Sequence, residues 1–454
     1  MSTTDLPSYP VTPPTFQRTP TYTHEPRAEE QRLAYSDPVR TLRARFDGNF
    51  VKQSPKGGVS LRLTQQLDGA SLPLYGHGAA VEGFVDLAQI ENVDSVEVKI
   101  EGCLKMQELA EMGKALHTLC LDKAVLWRKG TSPSCPASLS FSLRLPPTFS
   151  DGKDNYPLPP SYECKMTGVP GFYASTTYSV TASVVRSKAS LFALGSTAIV
   201  STPFVYLPRT RPAAPLPEPL LMDHTLRGFP DWHPDWAVFK TQLECNVPDR
   251  ERYIQCKLHV PNTRIFAITE SIPFHLSFAS RADTMATFQP FAPHISGASA
   301  SYGGPAELPP AKSREKVRVQ LLRRSYCDVR NEGANGAGRD MWRTDTIGEA
   351  IFDIAGEGPE WRAYDGHIVI SDSVKVAGFK AGGLHVRDYM VLAMTPLDPP
   401  RTAKTILREE QKAPFQPLWD AFEVRLTTDP WGKGDEVEAR PDYGRGEVHR
   451  GAEF

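Results

Sequence analysis

The residues best equipped for chemistry crowd into "MDHTLRGFPDWHPDW", which brings Asp223, His224, Asp231, His233 and Asp235 into one short stretch. Two imidazoles and three carboxylates are a donor set that zinc or iron accepts. The frame argues against it. Pro230 and Pro234 interrupt the stretch, and it has no helical H-x-x-x-H spacing. A connecting segment is the simpler expectation, with Trp232 and Trp236 packed on a neighbouring sheet and the polar residues facing water. Serine chemistry fares no better. The nearest approach to the G-x-S-x-G elbow is "SGASASYGG", where Ser301 follows Ser299-Ala300 in place of the required glycine. In "NEGANGAGRD", Gly333, Gly336 and Gly338 have the reverse of dinucleotide-loop spacing and no βαβ context. The expectation is a protein with no catalytic residues, no metal and no cofactor.

Binding motifs are better represented. Pro159, Pro160, Ser161 and Tyr162 spell PPxY, the extended peptide that WW domains of HECT-type ubiquitin ligases grip. Leu6, Pro7, Ser8 and Tyr9 are a variant of the same motif, and "RPDY" from Arg440 to Tyr443 is a weaker one. In "KSREKVRVQLLRRSYCDVR", Arg314, Lys316, Arg318, Arg323 and Arg324 concentrate positive charge. On a strand, Arg314, Lys316 and Arg318 project to one side at period two, where they could hold carboxylates, phosphates or anionic lipid headgroups. The competing account is a solvated face whose charges discourage edge aggregation.

The elements that must position these groups are strands. Val96, Val98 and Ile100 alternate in "SVEVKI", as do Tyr178, Val180, Ala182 and Val184 in "TTYSVTASVV", and Val317, Val319 and Leu321 in "KVRVQL". Short alternating runs bounded by Gly, Pro, Asn and Asp indicate antiparallel sandwiches rather than βαβ units. "LKMQELAEMGKAL" is the one stretch with helical spacing, through Leu104, Leu109 and Met112.

The 454 residues suggest two or three domains, and 40% hydrophobic content can fill sizeable cores. A balance of 51 Lys plus Arg against 53 Asp plus Glu argues against a whole-molecule nucleic-acid footprint. Seven scattered cysteines match neither zinc spacing nor a secreted disulfide framework, and no signal pattern or apolar span is evident. A cytoplasmic protein is expected. Residues 1–38 are proline-rich and poor in aliphatic residues, and residues 431–454 are charged and glycine-rich; both read as disordered. The proline-rich linker at 208–235 then divides a sandwich at 39–207 from another at 236–430.

The ordered series "GHGAAVEGFVDLAQIENVDSVEVKIEGCLK", "LDKAVLW", "SLSFSLRLPP", "LPPSYE", "TTYSVTASVVR" and "PFVYLPRTRP" resembles the amino-terminal half of the arrestin family, specifically fungal arrestin-related proteins. "YIQCKLHVPNTRIFAITESIPFHLSF", "VRVQLLRR", "GGLHVRDYMVLAMTP" and "FEVRLTTDPW" are similar to its carboxy-terminal half. The resemblance implies an all-β chain of two tandem antiparallel immunoglobulin-like sandwiches. It implies a non-enzymatic adaptor for endocytosis or sorting, with cytosolic tails of membrane proteins as cargo and a HECT-type ubiquitin ligase as a recruited partner. The adaptor would be drawn to plasma membrane or endosomes by peripheral contact, without nucleic acid. A retromer-like structural subunit of a trafficking coat shares the architecture and is the alternative. The resemblance also implies that Pro159 to Tyr162 end a loop and begin a strand, which would make the motif structural. Arg186 lies near a position where signalling arrestins sense phosphate, but no surrounding motif carries that role across, and Arg209 and Arg211 read as linker charges.

Overall fold

A computed structural model of the chain describes residues 48–55, 57–109, 113–130, 134–169, 171–187, 196–223, 228–246, 253–293, 316–329, 341–395 and 413–432. All of them belong to the unit Leu33–Phe454. The arm at 1–38, with Leu6, Pro7, Ser8 and Tyr9, lies outside the described residues; so do Arg314, the two glycine- and serine-rich loops, Arg440 to Tyr443, and the tail beyond position 432.

The described chain is almost entirely β. Its first block holds β1 (Gly48–Gln53), β2 (Val59–Gln66), β3 (Leu74–Tyr75), β4 (Ala80–Leu87), β5 (Val93–Glu108) and β6 (Lys114–Arg128). It continues with β7 (Ser138–Arg144), β8 (Thr148–Ser150), β9 (Asn155–Pro157), β10 (Tyr162–Met166), β11 (Phe172–Arg186) and β12 (Ser196–Tyr206). One sheet runs β1-β2-β4-β7; the other runs β3-β12-β11-β5-β6, with β10 added beside β11. Period-two patterning explains the layering: Val96, Val98, Ile100, Leu104 and Met106 of β5 are buried and meet Leu61, Leu63, Val81 and Val85 of the facing sheet in one core.

The helical expectation for "LKMQELAEMGKAL" is wrong. Alternation begun at Val96 continues through Gly102 to Leu104 and Met106, so β5 pairs with β11 as far as Glu108↔Phe172 and turns back into β6. Gly102 is required there, since a Cβ would lie 2.6 Å from the Tyr178 ring.

The second block holds β13 (Trp236–Glu244), β14 (Tyr253–Pro261), β15 (Ile265–Ala267), β16 (Ile272–Ala279), a short helix α1 (Ala282–Phe288), and β17 (Arg318–Cys327). It ends with β18 (Met341–Gly358), β19 (Trp361–Ile370), β20 (Phe379–Ala381), β21 (Leu384–Met394) and β22 (Leu418–Thr427). Here the layers are not separate sheets. A single hydrogen-bonded path runs β13-β14-β16-β19-β18-β17-β21-β22-β15 and curls until Phe239 of β13 stacks on Phe422 of β22, centroids 3.8 Å apart. The corner is β18. Its first half pairs with β17, its second half with β19, and register shifts mark the bend on both sides. Bulged strands that pass from one layer to the other make such corners. Gly348 sits where the two pairings overlap, and a Cβ there would lie 2.9 Å from both Ile368 Cγ2 and the Val369 carbonyl.

Gly348→Ala is therefore expected to lower stability by about 1–3 kcal/mol. Gly76→Ala, where the nearest atom to a Cβ is 3.8 Å away, serves as the control and should change it by less than about 0.5 kcal/mol. Urea unfolding of the two variants measures both; equal effects would remove the corner role of Gly348.

Candidate functional site: the two faces of β17

Strand β17 places its odd and even residues on opposite faces, and the basic segment is divided accordingly. On the inner face Val317, Val319 and Leu321 belong to the second block's core, whereas Cys327 belongs to the first block's. Between them stands Arg323. It is buried and bidentate to Asp388 on β21, with Nε to Oδ1 at 2.8 Å and Nη2 to Oδ2 at 3.0 Å. Arg323 is thus removed from the basic surface expected of it. Burial opposes its charge, but the Asp388 carboxylate outweighs burial and holds the guanidinium above its ordinary pKa. On β21 the same change of core occurs, from Met390 and Leu392 to Leu384. The ion pair therefore marks a polar boundary between two apolar cores that share two strands.

The PPxY residues meet that boundary. Pro159 and Pro160 are buried. The Tyr178 hydroxyl donates to the Pro159 carbonyl at 2.5 Å, and the Thr176 hydroxyl donates to the Pro160 carbonyl. Ser161 N–H donates to the Tyr206 carbonyl at 2.8 Å, and Tyr206 N–H donates back to Ser161 Oγ at 2.9 Å. Tyr162 opens β10, its hydroxyl 2.7 Å from Ser325 Oγ of β17 and its ring edge-on to Phe379 of β20. Burial pushes the Tyr162 phenol up to about 12. Arg343 of β18 adds a donor to the Lys165 carbonyl at 2.7 Å, and Lys380 of β20 lies over the Tyr156 ring.

The even residues of β17 face the other way. Arg324 is exposed, 5.9 Å from the centroid of Trp342 and 5.4 Å from that of Tyr389, and it stands directly across from Arg387 of β21. Arg387 is 3.8 Å from Glu423; among the described residues Arg324 meets rings and no carboxylate. Farther along, His385 lies beside Tyr326, and burial together with the charges of Lys380 and Arg387 pulls its pKa down to about 4. Lys316 is half-buried before the strand begins, and Arg318 is half-buried with its Nε unpartnered. Arg387, Trp342 and Tyr389 escaped sequence reasoning because only the strand register brings them beside Arg324.

Of the remaining metal candidates, His224 lies outside the described residues. Asp231 is held by Lys257 at 2.6 Å and Lys240 at 3.7 Å, and His233 Nδ1 accepts from the Asp235 N–H at 3.2 Å. Among the described residues no group of three His, Cys, Asp or Glu is placed to hold a metal. Trp236 is buried, with Nε1–H donating to the Glu218 carbonyl, but Trp232 is 76% exposed, so only one of the two indoles packs as expected. Arg186 donates to the Gln89 carbonyl. Arg209 is an ion-pair partner of Asp429, and Thr210 and Thr428 exchange hydrogen bonds beside it, so this linker charge is a fastening to the end of β22. No helix of the described residues is long and apolar enough to cross a membrane. No family model matches the chain, and no curated protein matches it in sequence.

Two outcomes follow for the boundary. Asp388→Asn leaves the Arg323 guanidinium buried beside a neutral amide and should cost about 3–5 kcal/mol. A cycle of Tyr162→Phe and Ser325→Ala should show a coupling of about 1 kcal/mol in denaturant unfolding, and strict additivity would show that the hydroxyl contact contributes nothing.

Proposed function

We propose that this chain is a non-enzymatic adaptor, built on the arrestin-like pair of immunoglobulin-like sandwiches that its sequence resembles, which holds acidic cytosolic tails of membrane proteins. The observation that carries this reading is the facing pair Arg324 and Arg387. Like charges directly opposite on a sheet repel, and an anion placed between them relieves that repulsion. Trp342 and Tyr389 flank the Arg324 guanidinium at cation–π distance without using its N–H donors, which suit carboxylate or phosphate oxygens. The anion-receptive surface is thus redrawn from the expected Arg314, Lys316, Arg318, Arg323 and Arg324 to a patch centred on Arg324 and Arg387. Recruitment of trafficking or ubiquitination machinery, including a HECT-type ligase, would fall to the segment Leu6, Pro7, Ser8 and Tyr9. Pro159, Pro160, Ser161 and Tyr162 are assigned a structural role because their polar groups and rings are already engaged.

A second reading, a structural subunit of a trafficking coat, draws on β6. Among the described residues this 15-residue strand pairs only with β5, and Leu116, Leu121 and Val125 on it are 72%, 60% and 49% exposed. An open edge with apolar side chains suits permanent assembly.

Binding of a synthetic peptide rich in Asp, Glu and phosphoserine separates the two readings. Arg324→Ala with Arg387→Ala should weaken the peptide's affinity about tenfold or more at low salt, and the difference should shrink as salt rises. Binding that is insensitive to both the substitutions and salt would refute the adaptor surface. A stoichiometric complex lost on Leu121→Lys would favour the subunit.

A further inference from the structure

The segment that leads into the second block lies across the outer face of its sheet, and two histidines hold it there. His259 of β14 and His275 of β16 are cross-strand partners, both buried. The Pro230 carbonyl can only accept, so the contact of 2.9 Å from His259 Nε2 requires a proton on that nitrogen. Its Nδ1 is then an acceptor, buried and without a partner among the described residues. His275 has the opposite tautomer. Leu220 N–H donates to its Nε2 at 3.0 Å, so Nε2 is bare and Nδ1–H donates to Asp365 at 2.6 Å. Phe229 packs against both rings at 5.6 and 4.6 Å, and Trp236 against His275 at 4.5 Å.

We propose that His259 forms a pH-sensitive clasp, holding residues 229–236, and Leu220 that packs with them, on the second block only while its ring is neutral. A proton added to His259 would create a buried N–H at Nδ1 with no acceptor among the described residues. Among the described charged groups, Asp231 favours a proton on His259 but is committed to Lys257 and Lys240, Lys257 opposes further positive charge, and Asp365 is engaged by His275. Burial pulls the His259 pKa down from 6.5 to about 4. Because the docked value is the lower one, stabilisation by the clasp is complete above about pH 6.5 and declines as pH falls toward 4. Between about pH 7.5 and pH 5 this weakens docking about 30-fold. Release would uncover the apolar surface formed by Leu220, Phe229, Trp236 and Ala363.

Hydrogen exchange of the full chain tests the clasp, read as the protection factor of the Leu220 amide so that the intrinsic pH dependence of exchange is removed. The expected result is a loss of about 30-fold from about pH 7.5 to pH 5, with the central amides of β5 unchanged. His259→Gln supplies a neutral amide whose Nε2–H can donate to the Pro230 carbonyl, and it should abolish the loss. A flat wild-type profile overturns the proposal, as does a parallel loss in β5, which would mean general acid unfolding. An equal pH response in His259→Gln overturns it too. If that variant does not fold, the wild-type comparison of Leu220 with β5 decides alone.

Discussion

The Arg323–Asp388 pair is the constraint around which the two blocks are arranged. A buried ion pair is not a strong source of net stability, because the loss of hydration offsets most of the attraction. Its effect is on specificity. The two strands that carry it contribute apolar side chains to one core on one side and to the other core on the other side. Either core could in principle slide along β17 and β21, since leucine, valine and methionine pack tolerantly. A charge pair cannot slide, because each register other than the observed one leaves a guanidinium or a carboxylate buried without its partner.

Several contacts depend on that fixed register. Ser325, two residues beyond Arg323, reaches the Tyr162 hydroxyl only if β17 is placed where the pair sets it. Gly383 approaches the Asp328 carbonyl so closely that a Cβ would lie 1.9 Å from it, and the turn it belongs to also packs toward Met106 and Leu104 of the first block. At the opposite end, Arg209 and Thr210 fasten the start of the linker to Asp429 and Thr428. A proline-rich segment that resembles a free hinge is therefore fixed near both of its ends, by this contact and by the histidines of β14 and β16. The outer face of β17 inherits its geometry from the same register, since Arg324 faces Arg387 because Arg323 faces Asp388.

Much of the β architecture was legible in the sequence because a half-buried strand must alternate, and "SVEVKI", "TTYSVTASVV" and "KVRVQL" do so without ambiguity. Ambiguity entered at "LKMQELAEM", where Leu104 and Met106 satisfy a strand while Leu104 and Leu109 satisfy a helix; hydrogen bonding to β11 decided the matter. The curled single sheet of the second block was not legible, because the corner at Gly348 is one glycine among many. The candidate site was legible only in part. Charge density singled out the right strand, yet Arg323 and Arg324 are adjacent in sequence and opposite in environment. Nothing local tells them apart, since the partner that buries one is Asp388 and the rings that flank the other are Trp342 and Tyr389. Pro159 to Tyr162 show the same limit from the other side, because a recognition motif and a loop-to-strand transition use the same residues, and only the engagement of their carbonyls separates the two.

The most direct measurement of the central claim is differential scanning calorimetry of the whole chain. If the ion pair joins both cores into one cooperative structure, the protein should unfold in a single transition whose calorimetric and van't Hoff enthalpies agree, and Asp388→Asn should lower that transition as a whole. Two resolved transitions in the unaltered protein, with Asp388→Asn shifting only the one belonging to the second block, would contradict it.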